Sequence, residues 1–180
     1  MSALYVDSIK DKSDTKTLAT LSSSTVTLHS DVSFPAGMII NVQHFSVASE
    51  TNTSSQTFVE TALTDQITMT SASNKVIIIA NVAGALKTAS NYDVAYTIYR
   101  GTTNLANGGS NTIGDNDWMG FIKSGDSAEA GTNVNMTYVD TPGAGTHTYT
   151  VRYASSNSLY NAYFCVWGHT SQMILMEVTA

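Results

Sequence analysis

Residues 134–153 read VNMTYVDTPGAGTHTYTVRY, and apolar or aromatic side chains recur there at every second position. A two-residue period is typical of a β-strand with one side buried. Between the two alternating halves, Pro142 and Gly143 suit the centre of a type II turn, because proline presets the first φ and glycine accepts the positive one. The stretch therefore predicts two strands separated by a turn. The residues that share a face are Val134, Met136 and Tyr138 in the first strand and His147, Tyr149, Val151 and Tyr153 in the second.

The same alternation extends over most of the chain, whereas helical periodicity is almost absent. In DVAYTIY, for example, Val94, Tyr96 and Ile98 share one face. About ten short strands separated by Gly, Ser and Asn turns predict an all-β fold, a jelly-roll β-sandwich. Besides the strands already described, we expect strands at residues 25–34, 38–47, 57–63, 66–70, 75–82, 118–122, 160–167 and 172–178.

The composition excludes several classes of function. Only 12% of the 180 residues are charged, about half the usual share, and the net charge is −6 with eight Lys and Arg. Such a chain has no electrostatic footprint for nucleic acid or for anionic lipid. Cys165, the single cysteine, excludes an internal disulfide and a cysteine-built zinc site. No apolar run approaches the ~18 residues of a membrane span, so we expect no membrane insertion.

Residues 1–34 form a thin, polar arm ahead of a more aromatic head domain at residues 35–180. Roughly one arm residue in four is apolar. Ordering the backbone costs ~1–2 kcal/mol per residue, while each buried Leu or Val returns only ~1.5–3 kcal/mol. We therefore predict an extended β arm that folds against copies of itself or against a neighbouring protein. The assembly residues that we expect are Leu18, Leu21, Val26, Leu28, Val32 and Phe34.

The joint between arm and head is predicted at FPAG, residues 34–37. Pro35 cannot donate to a β-ladder and keeps its predecessor extended, so strand pairing stops there. Gly37 allows the turn into the next strand. We expect Pro35 and Gly37 to act as a hinge.

The stretch KVIIIANV, residues 75–82, is continuously apolar where the other strands alternate. Because only one face of a sandwich strand meets the core, the opposite face needs a second cover. Another copy of the chain would supply it, and a loop laid over a central strand is the alternative. We therefore predict a homotrimer, with Val76, Ile77, Ile78 and Ile79 as candidate interface residues.

No catalytic signature is present in the sequence. It contains no G-x-S-x-G, no H-E-x-x-H, no P-loop and no G-x-G-x-x-G motif. The four histidines lie on separate predicted segments, so their spacing does not indicate a metal site. The cluster GDNDW, residues 114–118, offers oxygen ligands of the kind that Ca²⁺ prefers, but Asp and Asn are also the usual turn residues. We predict that the protein is not an enzyme and needs no cofactor.

The surface loops are rich in Tyr, Asn, Ser and Thr. Aromatic rings provide contact area at low entropic cost, and amides and hydroxyls provide hydrogen bonds, which suits recognition of a sugar or a protein. The alternative is that these residues are core aromatics and ordinary turn formers. The candidates for a receptor face are Tyr92, Asn116, Trp118, Asn157 and Tyr160.

Two sets of sequence stretches resemble known protein families. LYVDSIKDKSDTKTLAT (residues 4–20), FPAG and the closing QMILMEVTA resemble phage virion proteins of the tail-fibre type, although Ser13-Asp14 replaces the Ser-Gly turn expected there. KVIIIANVAG followed by YDVAYTIYRGTTNLA resembles the core strands of the tumour-necrosis-factor and complement-C1q jelly rolls. The second resemblance implies three jelly rolls packed around a three-fold axis.

These resemblances favour a non-enzymatic virion protein, a short tail fibre or fibre tip that binds a host-surface glycan or protein as a trimer. Residues 1–34 would then bind other virion proteins. A capsid decoration protein or head fibre, with the arm on the capsid lattice, is the alternative. A secreted C1q-like ligand is disfavoured because the start, MSALYVDSIKDK, has no export signal, so we expect synthesis in the host cytoplasm. An esterase or glycosidase on a fibre scaffold ranks last.

Overall fold

A computed structural model of the protein describes residues 8–10, 17–21, 26–28, 34–86, 92–106, 113, 117–123 and 130–180. The chain separates into two compact units, Met1–Ala36 and Gly37–Ala180. The division lies two residues beyond the predicted boundary between residues 34 and 35. It falls at Gly37, whose φ of 82° is the left-handed value that a turn glycine accepts readily.

The first unit contains a small antiparallel sheet of three short strands, β1 (Ser8–Lys10), β2 (Thr17–Leu21) and β3 (Val26–Leu28), in the order β1-β2-β3. Leu18, Leu21, Val26 and Leu28 lie on β2 and β3, but their side chains are outside what the structure describes. Val32 is also outside the described residues. Phe34, the last of the predicted arm residues, is 41% exposed. The assembly role of these residues stays a prediction.

The second unit, which we call the head, is a sandwich of two antiparallel sheets. Its longer strands pair in a nested order: the first pairs with the last, the second with the second last, and so on inward. This is the pairing of a jelly roll, so the predicted all-β sandwich is confirmed. The strands are β4 (Ile39–Val47), β5 (Thr51–Thr53), β6 (Val59–Met69), β7 (Lys75–Leu86), β8 (Asp93–Arg100), β9 (Thr103–Asn104), β10 (Gly120–Lys123), β11 (Ala130–Asp140), β12 (Gly145–Ser155), β13 (Ala162–Phe164) and β14 (Ser171–Val178).

The six-stranded sheet has the order β4-β14-β7-β13-β5, in which β14 and β13 pair with successive parts of one edge of β7, while β11 pairs along its other edge. The five-stranded sheet has the order β10-β8-β12-β6, with β9 paired to β8. Side chains from both inner faces fill the core, as the alternation predicted. The largest fully buried ones include Tyr96, Tyr153, Phe164, Ile78 and Met173.

Strand β7 lies in the middle of its sheet, between β14 and β11, and its apolar run divides between the two faces. Val76 and Ile78 point into the core of the head and are fully buried. The prediction that these two residues form a subunit interface is therefore wrong, because no neighbouring copy can reach them. Ile77 and Ile79 point outward, and Ile79 is 40% exposed.

Two predicted segments differ from the structure. Residues 57–63 and 66–70 form one continuous strand, β6, because β12 pairs with it along almost its whole length, through the polar Thr64 and Asp65. The predicted strand 160–167 ends early at Phe164 and continues into a 3₁₀ turn, Val166–Gly168. The strand stops because Cys165 and Trp167 adopt left-handed backbone conformations, with φ of 53° and 55°.

The head has two distinct ends. At the proximal end the chain enters through Gly37, whose N–H donates to the carbonyl of Thr179, beside the end of β14 and the start of β7. At the distal end lie the far ends of β4, β7 and β12 and the start of β8. Because the strands run between the two ends, surface features can be assigned to one or the other.

Candidate functional site

The outer face of the six-stranded sheet carries a row of four apolar residues, one on each of four adjacent strands. In order across β4, β14, β7 and β11 they are Val42, Met176, Ile77 and Val139, which occupy paired positions of the β-ladders. Val42 is 55% exposed and Val139 is 52% exposed. With strands ~4.8 Å apart, this row spans about 15 Å of surface.

The next row toward the distal end is also largely apolar, with Ile174 and Ile79 at its centre and His44 and Thr137 at its edges. We call these two rows together the apolar face. The row beyond them is polar and ends the apolar face; it consists of Ser46, Gln172, Asn81 and Asn135. None of the twelve residues in the three rows is acidic.

The outer face of the five-stranded sheet is covered in a different way. A second cluster of buried residues, Phe58, Ala95, Tyr99 and Ala154, lies there, outside the main core. Ile113 and Trp118 pack against this cluster. The described residues therefore leave an apolar row exposed on the outer face of the six-stranded sheet. On the outer face of the five-stranded sheet, aromatic side chains cover the strands.

A pocket of about 300 Å³ opens beside this second cluster, toward the distal end. Ala95 forms part of its wall, and the rings of Trp118 and Phe121 lie 4.4 Å apart on another side. Asp93 and Lys123, at paired positions of β8 and β10, provide one charge of each sign. We call this cavity the Trp118 pocket. Its mixed aromatic and charged lining suits a polar ligand with an apolar face.

A second concavity, of about 220 Å³, lies on the outer side of the six-stranded sheet at the distal end. Trp167, in the 3₁₀ turn, forms one wall, and Gly131, Thr132 and Asn133 of β11 form another. His169 also lines it, with its ring edge-on to Trp167 at 6.5 Å between centroids. We call this concavity the Trp167 groove.

Of the predicted receptor-face residues that the structure describes, Trp118 is the one that lines a pocket. Tyr92 is only 2% exposed, so the prediction that it contacts a receptor is wrong; it stacks on Tyr160 with centroids 5.0 Å apart. Asn157 stabilises its own turn, because its Oδ1 accepts a hydrogen bond from the N–H of Leu159. Trp118 lines the Trp118 pocket, and Asn116 lies outside the described residues. Tyr92 is buried because its ring stacks on Tyr160 and its hydroxyl donates to the carbonyl of Asn161.

The core tyrosines are structural hydrogen-bond donors. Burial raises the pKa of the Tyr96 hydroxyl above its ordinary value of 10, and the nearby Tyr153 raises it further. The Tyr96 hydroxyl donates to the carbonyl of Tyr163. Burial also raises the pKa of Tyr149, and the hydrogen bond to Asp140 adds to the effect. Both phenols therefore stay neutral at physiological pH.

Sequence reasoning missed Trp167 and His169. Both follow the apolar run YFCV, which reads as the continuation of a buried strand. The one local signal was Gly168, directly after Trp167, which has a positive φ of 72° and closes the turn. A glycine in that position marks a turn more often than a strand interior.

The described ranges hold neither a cluster of metal ligands nor a membrane-spanning helix. They contain no group of three or more His, Cys, Asp or Glu side chains placed to hold a metal ion. Asp115 and Asn116 of GDNDW lie outside those ranges, while Asp117 is buried and its carbonyl accepts a hydrogen bond from Asn104. No helix in the described part of the chain is long and apolar enough to cross a membrane.

No protein-family model and no curated protein sequence matches this chain.

Proposed function

We propose that this protein is a non-enzymatic structural protein of a phage particle, a short tail fibre or fibre tip. Its heads associate as a homotrimer, residues 1–34 bind other virion proteins, and the distal ends of the heads bind a glycan or protein on the host surface. The phage assignment rests on the resemblance of residues 4–20, 34–37 and 172–180 to tail-fibre-type proteins. The proposed association of the heads is supported by a feature of the structure.

The observation that carries the proposal is the apolar face. It is a contiguous apolar patch bordered by a polar row, an arrangement typical of interaction sites. A second copy of the chain suits this surface for an electrostatic reason. Each copy has a net charge of −6, so copies repel unless they meet where carboxylates are absent. No acidic residue lies in the three rows that include the apolar face.

The two ends of the head support the attachment role. The covalent connection to the first unit enters at the proximal end, where Gly37 pairs with Thr179. The Trp118 pocket and the Trp167 groove both lie toward the distal end, where β8 and β11 begin. A protein anchored through its N-terminal unit would therefore present both concavities away from the point of chain entry.

Self-association is tested by light scattering on the full chain, with charges placed on the apolar face. We expect the wild-type protein to be a trimer and the double variant Val42→Glu/Val139→Glu to be a folded monomer, because buried unpaired carboxylates are costly. The matched control is Ala62→Glu/Gln66→Glu, which adds the same charge at exposed positions of β6 in the other sheet. A monomeric wild-type protein, or equal dissociation of both variants, would contradict the trimer.

Attachment is tested on particles and on host cells. We expect gold-labelled antibodies against the head to mark the tail of the particle, and labelled trimer to bind host cells and block infection. Label over the whole capsid would favour the alternative of a decoration protein. A protein that neither binds cells nor blocks infection would overturn the receptor-binding role.

A further inference from the structure

Trp167 is the most exposed aromatic side chain of the head, with 56% of its surface accessible. Its backbone is in the left-handed region, with φ of 55°. For a residue with a bulky side chain this conformation is disfavoured by about 1–2 kcal/mol relative to the right-handed one. The surrounding structure must therefore hold Trp167 in place, and outliers of this kind cluster at functional sites.

Three contacts hold the residue. Its backbone N–H donates to a carboxylate oxygen of Glu50 at 2.7 Å. Its indole ring lies over Gly131 of β11, at the place where a Cβ would come within 2.6 Å of Cζ3. Two residues before it in the chain, Cys165 is fully buried, with Sγ 3.2 Å from both the carbonyl of Val47 and Oγ of Ser171. The ring is thus pre-positioned before any ligand binds.

The polar groups beside the ring are available to a ligand. Asn133 and His169 are exposed, and within the described residues their side chains make no hydrogen bond. Together they supply an amide and an imidazole, each of which can both donate and accept. Among the described residues, no Asp, Glu, Lys or Arg lines the groove.

We infer that the Trp167 groove binds a neutral saccharide, which stacks the apolar face of one sugar ring on Trp167 and hydrogen-bonds through its hydroxyls to Asn133 and His169. A volume of about 220 Å³ is below that of pockets that enclose drug-sized ligands, about 300–1,000 Å³. One or two sugar rings at the end of a glycan fit this size. A flat aromatic ring flanked by uncharged donors and acceptors is complementary to a ring with one C–H face and several hydroxyls.

The groove is separate from the other candidate surfaces. The polar row of Ser46, Gln172, Asn81 and Asn135 divides it from the apolar face, and the Trp118 pocket lies on the opposite sheet. The inference rests on the proposed function only in identifying the saccharide as part of the host surface. Binding of a saccharide by the purified protein does not depend on that identification.

The test uses the full chain and the two tryptophans that it contains. In a ¹⁵N-correlated NMR spectrum each indole N–H gives one signal, and Trp118→Phe assigns them. The probes are glucose, galactose, mannose, N-acetylglucosamine and their disaccharides, with N-acetylneuraminic acid and glucuronic acid as charged comparisons. Each is titrated to about 50 mM, because contacts to one or two sugar rings give affinities near ~1 mM. We expect at least one neutral probe to shift the Trp167 signal in a saturable way.

Three variants test the geometry. Trp167→Ala should weaken saccharide binding by about tenfold or more, because the stacking surface is lost. Saturation-transfer NMR on the sugar measures this binding. Gly131→Ala should weaken it while keeping the indole, because the added methyl group displaces the ring. Phe45→Leu, at an exposed aromatic residue that lines neither concavity, is the matched aromatic control and should bind as the wild type does. Thermal unfolding of each variant establishes that the head is folded.

The outcomes distinguish this inference from the proposed function. If no neutral probe shifts the Trp167 signal, or if Trp167→Ala keeps saccharide binding, the inference is wrong even where the protein binds host cells. If Trp167→Ala dissociates the oligomer and no probe binds, the ring is a subunit contact and the inference is also wrong. Saccharide binding without any binding to host cells would instead leave the inference standing and overturn the attachment role.

Discussion

Gly84 on β7 and Tyr96 on β8 meet across the sandwich. The aromatic ring of Tyr96 fills the space that a Cβ on Gly84 would need, and its Cζ lies 2.7 Å from that position. The Tyr96 hydroxyl then reaches past β7 to the carbonyl of Tyr163 on β13. One tyrosine side chain therefore crosses the core from the five-stranded sheet to the six-stranded one, and it does so because β7 has no side chain at residue 84.

This fit predicts that Gly84→Ala destabilises the head by about 1–3 kcal/mol, the usual cost of overpacking a core. The free energy of unfolding is measured by urea denaturation. The double-mutant cycle with Tyr96→Phe is the control: without the hydroxyl, part of the clash is absent, so Gly84→Ala should cost less in the Tyr96→Phe background. Equal costs in both backgrounds would show that the two residues are not in contact.

The buried tyrosines predict loss of stability in alkali. In the unfolded chain tyrosine titrates near pH 10, whereas burial raises the pKa of Tyr96 and Tyr149 above that value in the folded head. Below pH 10 both states keep these protons, so their contribution to stability is fully present. Above pH 10 the unfolded state loses protons that the folded state retains, and the free energy of unfolding falls by ~1.4 kcal/mol per pH unit for each such tyrosine.

Urea denaturation at pH 9, 10 and 11 measures this fall, and absorbance near 295 nm counts the phenolates of the folded protein. Tyr96→Phe should show a smaller fall than the wild type over the same range. Ionisation of all nine tyrosines near pH 10 while the head stays folded would disprove the prediction.

The hydrogen bonds of Glu177 predict that replacing this residue disrupts the structure locally. Its Oε1 accepts three hydrogen bonds of 2.7 Å, from the N–H and the hydroxyl of Thr70 and from the side-chain amide of Asn74. Glu177→Ala leaves these donors without an acceptor and should cost about 3 kcal/mol. Glu177→Gln keeps an acceptor oxygen and should cost less. Hydrogen exchange at the Thr70 amide should accelerate in the Ala variant and much less in the Gln variant; equal protection in both would argue against this role.

The head should fold without the first unit. All members of the two clusters of buried apolar residues lie between residues 58 and 175. We therefore expect residues 37–180 alone to unfold within about 4 °C of the head transition in the full chain, which corresponds to ~1 kcal/mol. Replacing both Pro35 and Gly37 in the full chain should likewise leave this transition unchanged. Loss of the cooperative transition in either protein would contradict an independent head.

Light scattering on residues 37–180 separates two routes to a trimer. If the apolar face drives association, the head alone should still associate, and Val42→Glu/Val139→Glu should abolish this. A monomeric head together with a trimeric full chain would instead assign association to residues 1–36.

Much of the fold was predictable because a β-strand has a two-residue period. Val94, Tyr96 and Ile98 were predicted to share a face, and all three lie in the main core, while Ala95 and Tyr99 belong to the cluster on the opposite side. The positive φ expected at Gly143 is also present, at 93°. These features are local, so neighbouring residues suffice to specify them.

The candidate site was less predictable, because it depends on contacts between distant parts of the chain. Val76 and Ile77 are equally apolar in the sequence, yet one is in the core and the other is on the apolar face. Tyr92 was predicted to lie on the surface, whereas in the structure its stacking on Tyr160 shields it from solvent. The position of Trp167 depends on Glu50, Gly131 and the burial of Cys165, and none of these is adjacent to Trp167 in sequence.

By itself, then, the sequence determined that the chain is all β, that a polar segment precedes a compact head, and where most strands lie, since alternation and turn residues act over a few positions. The tertiary structure decided which strands pair and which faces stay bare. Residues 134–153 illustrate the difference: the two strands joined by the Pro142-Gly143 turn belong to opposite sheets, β11 on β7 and β12 between β6 and β8. Strand pairing is a choice among distant partners, made by the packing of the whole core, and a local pattern cannot specify it.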